Sequence, residues 1–171
     1  MHKRLMISGA IGLALAGCST RERNWVPETV SANAVEQIEY ETGPCFGNCP
    51  VFRFTLSADG KGSFVGMRHT EVTGERAFTV TPAQYRAFAD RIAQYRPGMG
   101  DRIFQPGTDL CRQVATDMPS VDVHWRTPRQ MQQRLYFYYG CDMEKNAEMA
   151  SALGDAIEAL PPLEALVGER P

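Results

Sequence analysis

The stretch VFRFTLSADGKGSFVGM, residues 51–67, narrows the possible folds more than any other part of the chain. Phe52, Phe54 and Leu56 fall on one face of an extended segment; Arg53, Thr55 and Ser57 fall on the other. A period of two belongs to a strand with one buried and one solvated face. Asp59-Gly60 follows, a pair favoured in two-residue type I′ turns, whose central residues both need φ > 0. That turn predicts a hairpin in which Leu56 faces Ser63, Phe54 faces Val65 and Phe52 faces Met67. The inner face then stays apolar, so pattern and register agree.

The rest of the domain reads in the same terms. VEQIEYE, from Val35, alternates imperfectly and predicts a first strand. HTEVT and ERAFTV about Gly74 predict a second hairpin. Thr81 is an N-cap, Pro82 stands at N1 and Gln84 at N3, the signature of a capping box. Tyr85, Phe88, Ala89 and Ile92 then share a helical face, and Pro97-Gly98 ends the helix. Residues 97–118, rich in Gly, Pro and Asp, read as a long loop. Val121, Val123 and Trp125 mark one strand, and Leu135, Phe137 and Tyr139 another, joined through TPRQMQQ. A second helix is predicted from Met143 to Leu160, with Ala147, Ala150, Leu153 and Ile157 inward and Pro161-Pro162 breaking it. The expected class is α+β: an antiparallel β-sheet of hairpins with two α-helices packed on one face.

Upstream of the domain the chain begins MHKRLMISGAIGLALAGCST. Lys3 and Arg4 precede an apolar run, Leu5 to Ala16, that is too short for the roughly 20 residues of a membrane span. This is the pattern of an export signal. Leu15-Ala16-Gly17-Cys18 resembles the lipobox of bacterial lipoproteins. The resemblance implies cleavage before Cys18, lipid on its sulfur and acylation of the new N-terminus. Acyl chains at about 0.8 kcal/mol per buried CH₂ hold such a protein on a membrane. Residues 1–17 are thus read as signal peptide, 18–34 as lipidated cysteine and tether, and 35–168 as a single domain. Ser19 is not the aspartate that resembles an inner-membrane retention signal, which points to the outer membrane, facing the periplasm.

Removing residues 1–17 of 171 leaves enough chain for one domain with its own core. Loss of Lys3 and Arg4 takes the formal charge from −2 to −4, so no basic excess suggests nucleic acid. Four cysteines remain besides Cys18: Cys45, Cys49, Cys111 and Cys141. An even number in an exported chain reads as a disulfide framework, with three possible pairings. Gly47 lets Cys45 and Cys49 close a tight loop. If 120–126 and 133–139 form a hairpin, Cys141 just past its end comes near Cys111, upstream of its start. The favoured pairs are therefore Cys45–Cys49 and Cys111–Cys141.

Together Cys45-Phe46-Gly47-x-Cys49-Pro50-x-Phe52, Asp59-Gly60, Gly66, Gly74, Thr81-Pro82 and Thr116-Asp117-Met118-Pro119-Ser120 resemble a bacterial family known as domain of unknown function 6438. The resemblance runs over roughly residues 36–160. It implies an exported or lipid-anchored protein and brings no activity, ligand or catalytic residue. Phe52 stands where an aromatic, often tyrosine, is usual, and Cys111 and Cys141 lie outside the core pattern.

C-F-G-N-C-P also looks like the copper motif of Sco-type copper chaperones, which would make Cys45, Cys49 and His124 a metal or thiol-redox site. Against this, Pro50 leads into an alternating strand rather than the helix whose N-terminus would lower a thiol pKa. No nucleophile elbow, zinc-protease helix or phosphate loop is present in the sequence. Tyr136 and Tyr138, opposite Phe137 and Tyr139, form with Trp125 a candidate aromatic binding face. The sequence thus predicts a lipid-anchored envelope domain that binds a protein, peptide or glycan without catalysis or cofactor. The alternative is a periplasmic thiol-redox or copper-handling protein using Cys45 and Cys49.

Overall fold

A computed structural model describes residues 35–127 and 132–169. The signal-peptide, Cys18 and tether readings, and part of the TPRQMQQ connection, lie outside the described residues. The elements run β1 (Gln37–Thr42), β2 (Val51–Ser57), β3 (Lys61–Arg68), β4 (Gly74–Thr79), α1 (Pro82–Ala93), β5 (Gly100–Phe104), β6 (Ser120–Arg126), β7 (Gln132–Tyr138) and α2 (Ala147–Gly154). A 3₁₀ turn (Ala156–Ala159) and α3 (Pro161–Val167) follow. The strands form one sheet in the order β4-β3-β2-β1-β6-β7-β5. Every pairing is antiparallel except β5 with β7. The class is α+β, as the pattern predicted.

Period-two alternation places Ile38 and Tyr40, Phe52, Phe54 and Leu56, Val121, Val123 and Trp125, and Leu135 and Phe137 on one buried face. α1 and α2 cover it. The Phe88 ring meets Phe54 edge-on at 5.6 Å between centroids, and the Tyr40 hydroxyl donates to the Leu153 carbonyl at 2.8 Å. Aromatic pairs of this geometry add to the area they bury. α1 starts as predicted: the Thr81 hydroxyl accepts from the Gln84 amide at 3.2 Å, and the Gln84 side chain accepts from the Thr81 amide at 2.8 Å.

The structure corrects several expectations. The β2–β3 register is shifted by one residue: Leu56 faces Gly62, Phe54 faces Phe64 and Phe52 faces Gly66. Gly60 has φ +84° but Asp59 is not left-handed, and the Gly60 amide donates to the Ser57 carbonyl at 2.8 Å. The loop is therefore three residues long, closed by a left-handed glycine, the G1-bulge alternative to type I′. HTEVT is the connection between β3 and β4 rather than a strand. The loop read over 97–118 contains β5, which lies beside β7 at the sheet edge. The single helix read over 143–160 is a short α2 and a 3₁₀ turn, and Pro161-Pro162 opens α3 instead of ending structure. Proline at N1 loses no hydrogen bond, which is why it can start a helix as readily as stop one.

Candidate functional site

β1 ends at Thr42, and the next eight residues turn the chain back into β2. Thr42 holds that turn closed. Its hydroxyl donates to the Pro50 carbonyl at 2.8 Å and accepts from the Phe52 amide at 3.0 Å. Cys45 and Cys49 form a disulfide within it, their Cα atoms 5.7 Å apart. Phe46 is left at the tip, 87% exposed.

β1 also pairs with β6, so this turn lies beside the segment that leads into β6. The Gly43 amide donates to the Ser120 carbonyl at 2.8 Å and the Phe46 amide to the Asp117 carbonyl at 3.1 Å. Gly43 lets the two segments approach this closely: a Cβ there would overlap the Ser120 hydroxyl and force it to turn away. Asp117 takes φ +66°, a left-handed conformation that a short polar side chain tolerates. The Met118 amide donates to the Tyr138 hydroxyl at 3.2 Å. CFGNCP and TDMPS, 70 residues apart in sequence, are thus stitched together at one end of the sheet.

Between them lies a cleft of about 160 Å³. Tyr40, Phe52 and Ile157 line it together with Cys49-Pro50 on one side and Pro119-Ser120 on the other; Tyr139 also reaches it. Among the described residues, none that lines it is a histidine, carboxylate, lysine or arginine. The surface offers apolar shape with a few hydroxyls, which suits recognition of an uncharged, largely apolar group.

The second disulfide, Cys111–Cys141, has its Cα atoms 4.9 Å apart, and both residues are buried. It ties the segment before β6 to the end of β7. The Ala115 amide donates to the Gly140 carbonyl at 2.9 Å, and the Asp142 amide donates to the Gln113 carbonyl at 2.8 Å. The Asp142 carboxylate accepts from the Arg112 and Gln113 amides at 2.9 and 3.0 Å. The Arg112 amide, then that of Gln113, hold the Asp142 carboxyl below its ordinary range.

Trp125, Tyr136 and Tyr138 do not form one face. Trp125 is buried with Val121 and Val123, because odd positions of β6 point to the helices. Tyr136 and Tyr138 are half-buried on the opposite side; Arg134 lies over the Tyr136 ring and Tyr138 holds Met118. That side of the sheet is charged rather than aromatic. Asp122 accepts from Arg134 Nε at 2.9 Å and Nη2 at 2.7 Å, and His124 Nε2 approaches it at 3.1 Å. Arg126 pairs with Glu39 at 3.0 Å. His124 sits opposite Glu39 in mid-strand, whereas Cys45 and Cys49 lie past the end of β1, so the copper triad is not assembled. Among the described residues no group of three His, Cys, Asp or Glu side chains is placed to hold a metal ion. Among the same residues no helix is long and apolar enough to cross a membrane.

Sequence reasoning singled out both segments that wall the cleft but not the cleft itself. The available signal was that each places a proline, Pro50 or Pro119, immediately before a strand.

The family model described as domain of unknown function (DUF6438) matches residues 36–160, and the chain belongs to that family. No curated protein matches it.

Proposed function

We propose that this member of the family is a lipid-anchored binding domain of the bacterial cell envelope. It is held through Cys18 and faces the periplasm, and it takes an apolar side chain of a protein or peptide partner into the cleft beside Cys49. One observation carries the reading: the CFGNCP and TDMPS segments meet around an apolar cleft, and Phe46, on the same disulfide-closed turn as Cys49, is 87% exposed. An aromatic ring fixed on a disulfide-closed turn loses little entropy on docking, which is the usual character of an interface anchor. The cleft lining carries no charged acid–base group, so shape rather than proton transfer is its chemistry.

Two measurements test this. Intact mass of the chain extracted from membranes should show an N-terminal acylated Cys18, and Cys18→Ser should release the chain into the soluble envelope fraction. A chain with an unmodified Cys18 would refute the anchor. A photo-crosslinking amino acid at position 46 should capture one discrete partner in the native envelope, while the same group at Ala77, on the edge strand β4, captures none. Equal labelling from both positions would refute the binding site.

A further inference from the structure

The two disulfides differ in their access to solvent. Cys111 and Cys141 are 3% and 0% exposed, sealed beneath the hydrogen-bonded contact between residues 113–115 and 140–142. Cys45 and Cys49 are only half-buried, and Phe46, Gly47 and Asn48 between them are exposed. Thiol–disulfide exchange needs a thiolate to reach a sulfur, so exposed disulfides are the exchangeable ones. Cys49 also lines the cleft.

We propose that Cys45–Cys49 is a thiol–disulfide exchange site for an external dithiol and that its redox state sets the shape of the cleft. Cys111–Cys141 remains closed. A thiolate of the dithiol attacks one sulfur, the Cys45–Cys49 bond breaks, and a mixed disulfide forms. The second thiol of the reagent displaces the chain and leaves as the oxidised, disulfide form. The chain gains two electrons and two protons as two cysteine thiols. The released turn keeps its ends, because Thr42 still bonds Pro50 and Phe52. It loses the constraint that fixes Cys49 in the cleft wall and presents Phe46 to Asp117, so the Cys49 side of the cleft moves and the Phe46–Asp117 hydrogen bond weakens, while Gly43 and Tyr139 still hold Ser120 and Pro119. The exchange step stands on accessibility alone; the consequence for partner binding rests on the function proposed above.

The test uses the mature membrane-extracted chain titrated with dithiothreitol, trapped with N-ethylmaleimide and read by peptide mass. Cys45 and Cys49 should label at about tenfold or more lower reductant than Cys111 and Cys141, with tryptophan fluorescence still native. Under that selective reduction, amide hydrogen exchange should rise over residues 45–49 and 116–118 and stay unchanged in β6 and β7. Opening of both pairs together, or only on unfolding, would overturn the exchange site. Selective opening without faster exchange at those two segments would overturn control of the cleft. The double variant Cys45→Ser/Cys49→Ser should reproduce the exchange pattern of the reduced chain; if it fails to fold, the titration of the unaltered chain decides. Failure of the Phe46 crosslink would leave these readouts standing, so the two proposals fall separately.

Discussion

Gly62→Ala distinguishes the two registers of the β2–β3 hairpin by the sign of its effect. In the two-residue turn read from Asp59-Gly60, Leu56 faces Ser63 and Gly62 points to solvent. Alanine there would then stabilise the strand by about 0.5–1 kcal/mol, the usual penalty of a strand glycine. In the structure Gly62 faces Leu56 on the core side and pairs with Phe78 of β4. Its φ is not left-handed, so alanine meets no backbone strain. A Cβ would instead lie 2.8 Å from Phe78 Cε2 and closer still to Cζ and Cε1. Overpacking of this kind costs about 1–3 kcal/mol. Against the strand gain, a net loss of about 0–2.5 kcal/mol remains, centred near 1 kcal/mol, which is about 2–4 °C in a domain of this size. Urea unfolding followed by tryptophan fluorescence measures it, with an unchanged slope showing that only stability moved. Gly62→Ala combined with Phe78→Leu should recover part of the loss, since the two sites touch. A midpoint raised by Gly62→Ala would refute the register and the placement of Phe78.

Four further outcomes are expected. Thr42→Val leaves the Pro50 carbonyl and Phe52 amide short of a partner, costing about 1–3 kcal/mol in urea unfolding, while Thr42→Ser restores most of it. Breaking Cys111–Cys141 with serines removes a loop constraint worth about 3.6 kcal/mol, against about 2 kcal/mol for Cys45–Cys49, so the first pair should lower the melting temperature further in calorimetry. Phe54→Ala, at 0% exposure among Tyr40, Phe78 and Phe88, should cost about 3–5 kcal/mol by thermal unfolding. Asp142 is a carboxyl held below its ordinary value of 3.8, so the support it lends is present above that value and lost as pH falls through the lower folded-state value. The Arg112 and Gln113 amide resonances should therefore shift only in strong acid, below about pH 3.8, and Asp142→Asn should abolish that titration.

What was legible in the chain was local. Phe52, Phe54 and Leu56, or Leu135 and Phe137, announce a buried strand face because side chains alternate with every residue. Thr81, Pro82 and Gln84 announce a helix start because all three act within one turn. The cysteine pairs followed from counting and from one predicted hairpin. β5 was not legible, since GDRIF is five residues long and its partner β7 runs parallel to it some 30 residues later. Trp125 was assigned to a binding face although its own alternation with Val121 and Val123 put it in the core; burial of its large ring is the stronger demand. The break between α2 and the 3₁₀ turn was hidden because Leu153, Ile157 and Leu160 keep a helical spacing through it.

Alternation, caps and the cysteine inventory are properties of neighbouring residues, and the sequence by itself determined them. It thereby set an α+β chain with one apolar sheet face and a disulfide-closed turn at residues 45–49. Strand order was decided only by the tertiary structure. β1 sits between β2 and β6, and that single insertion carries the turn after β1 to the segment before β6, builds the cleft from five separate stretches of chain and leaves His124 in mid-sheet. No local period encodes which distant strand a strand will pair with. That choice is made by the sum of buried faces once all of them compete for the same core.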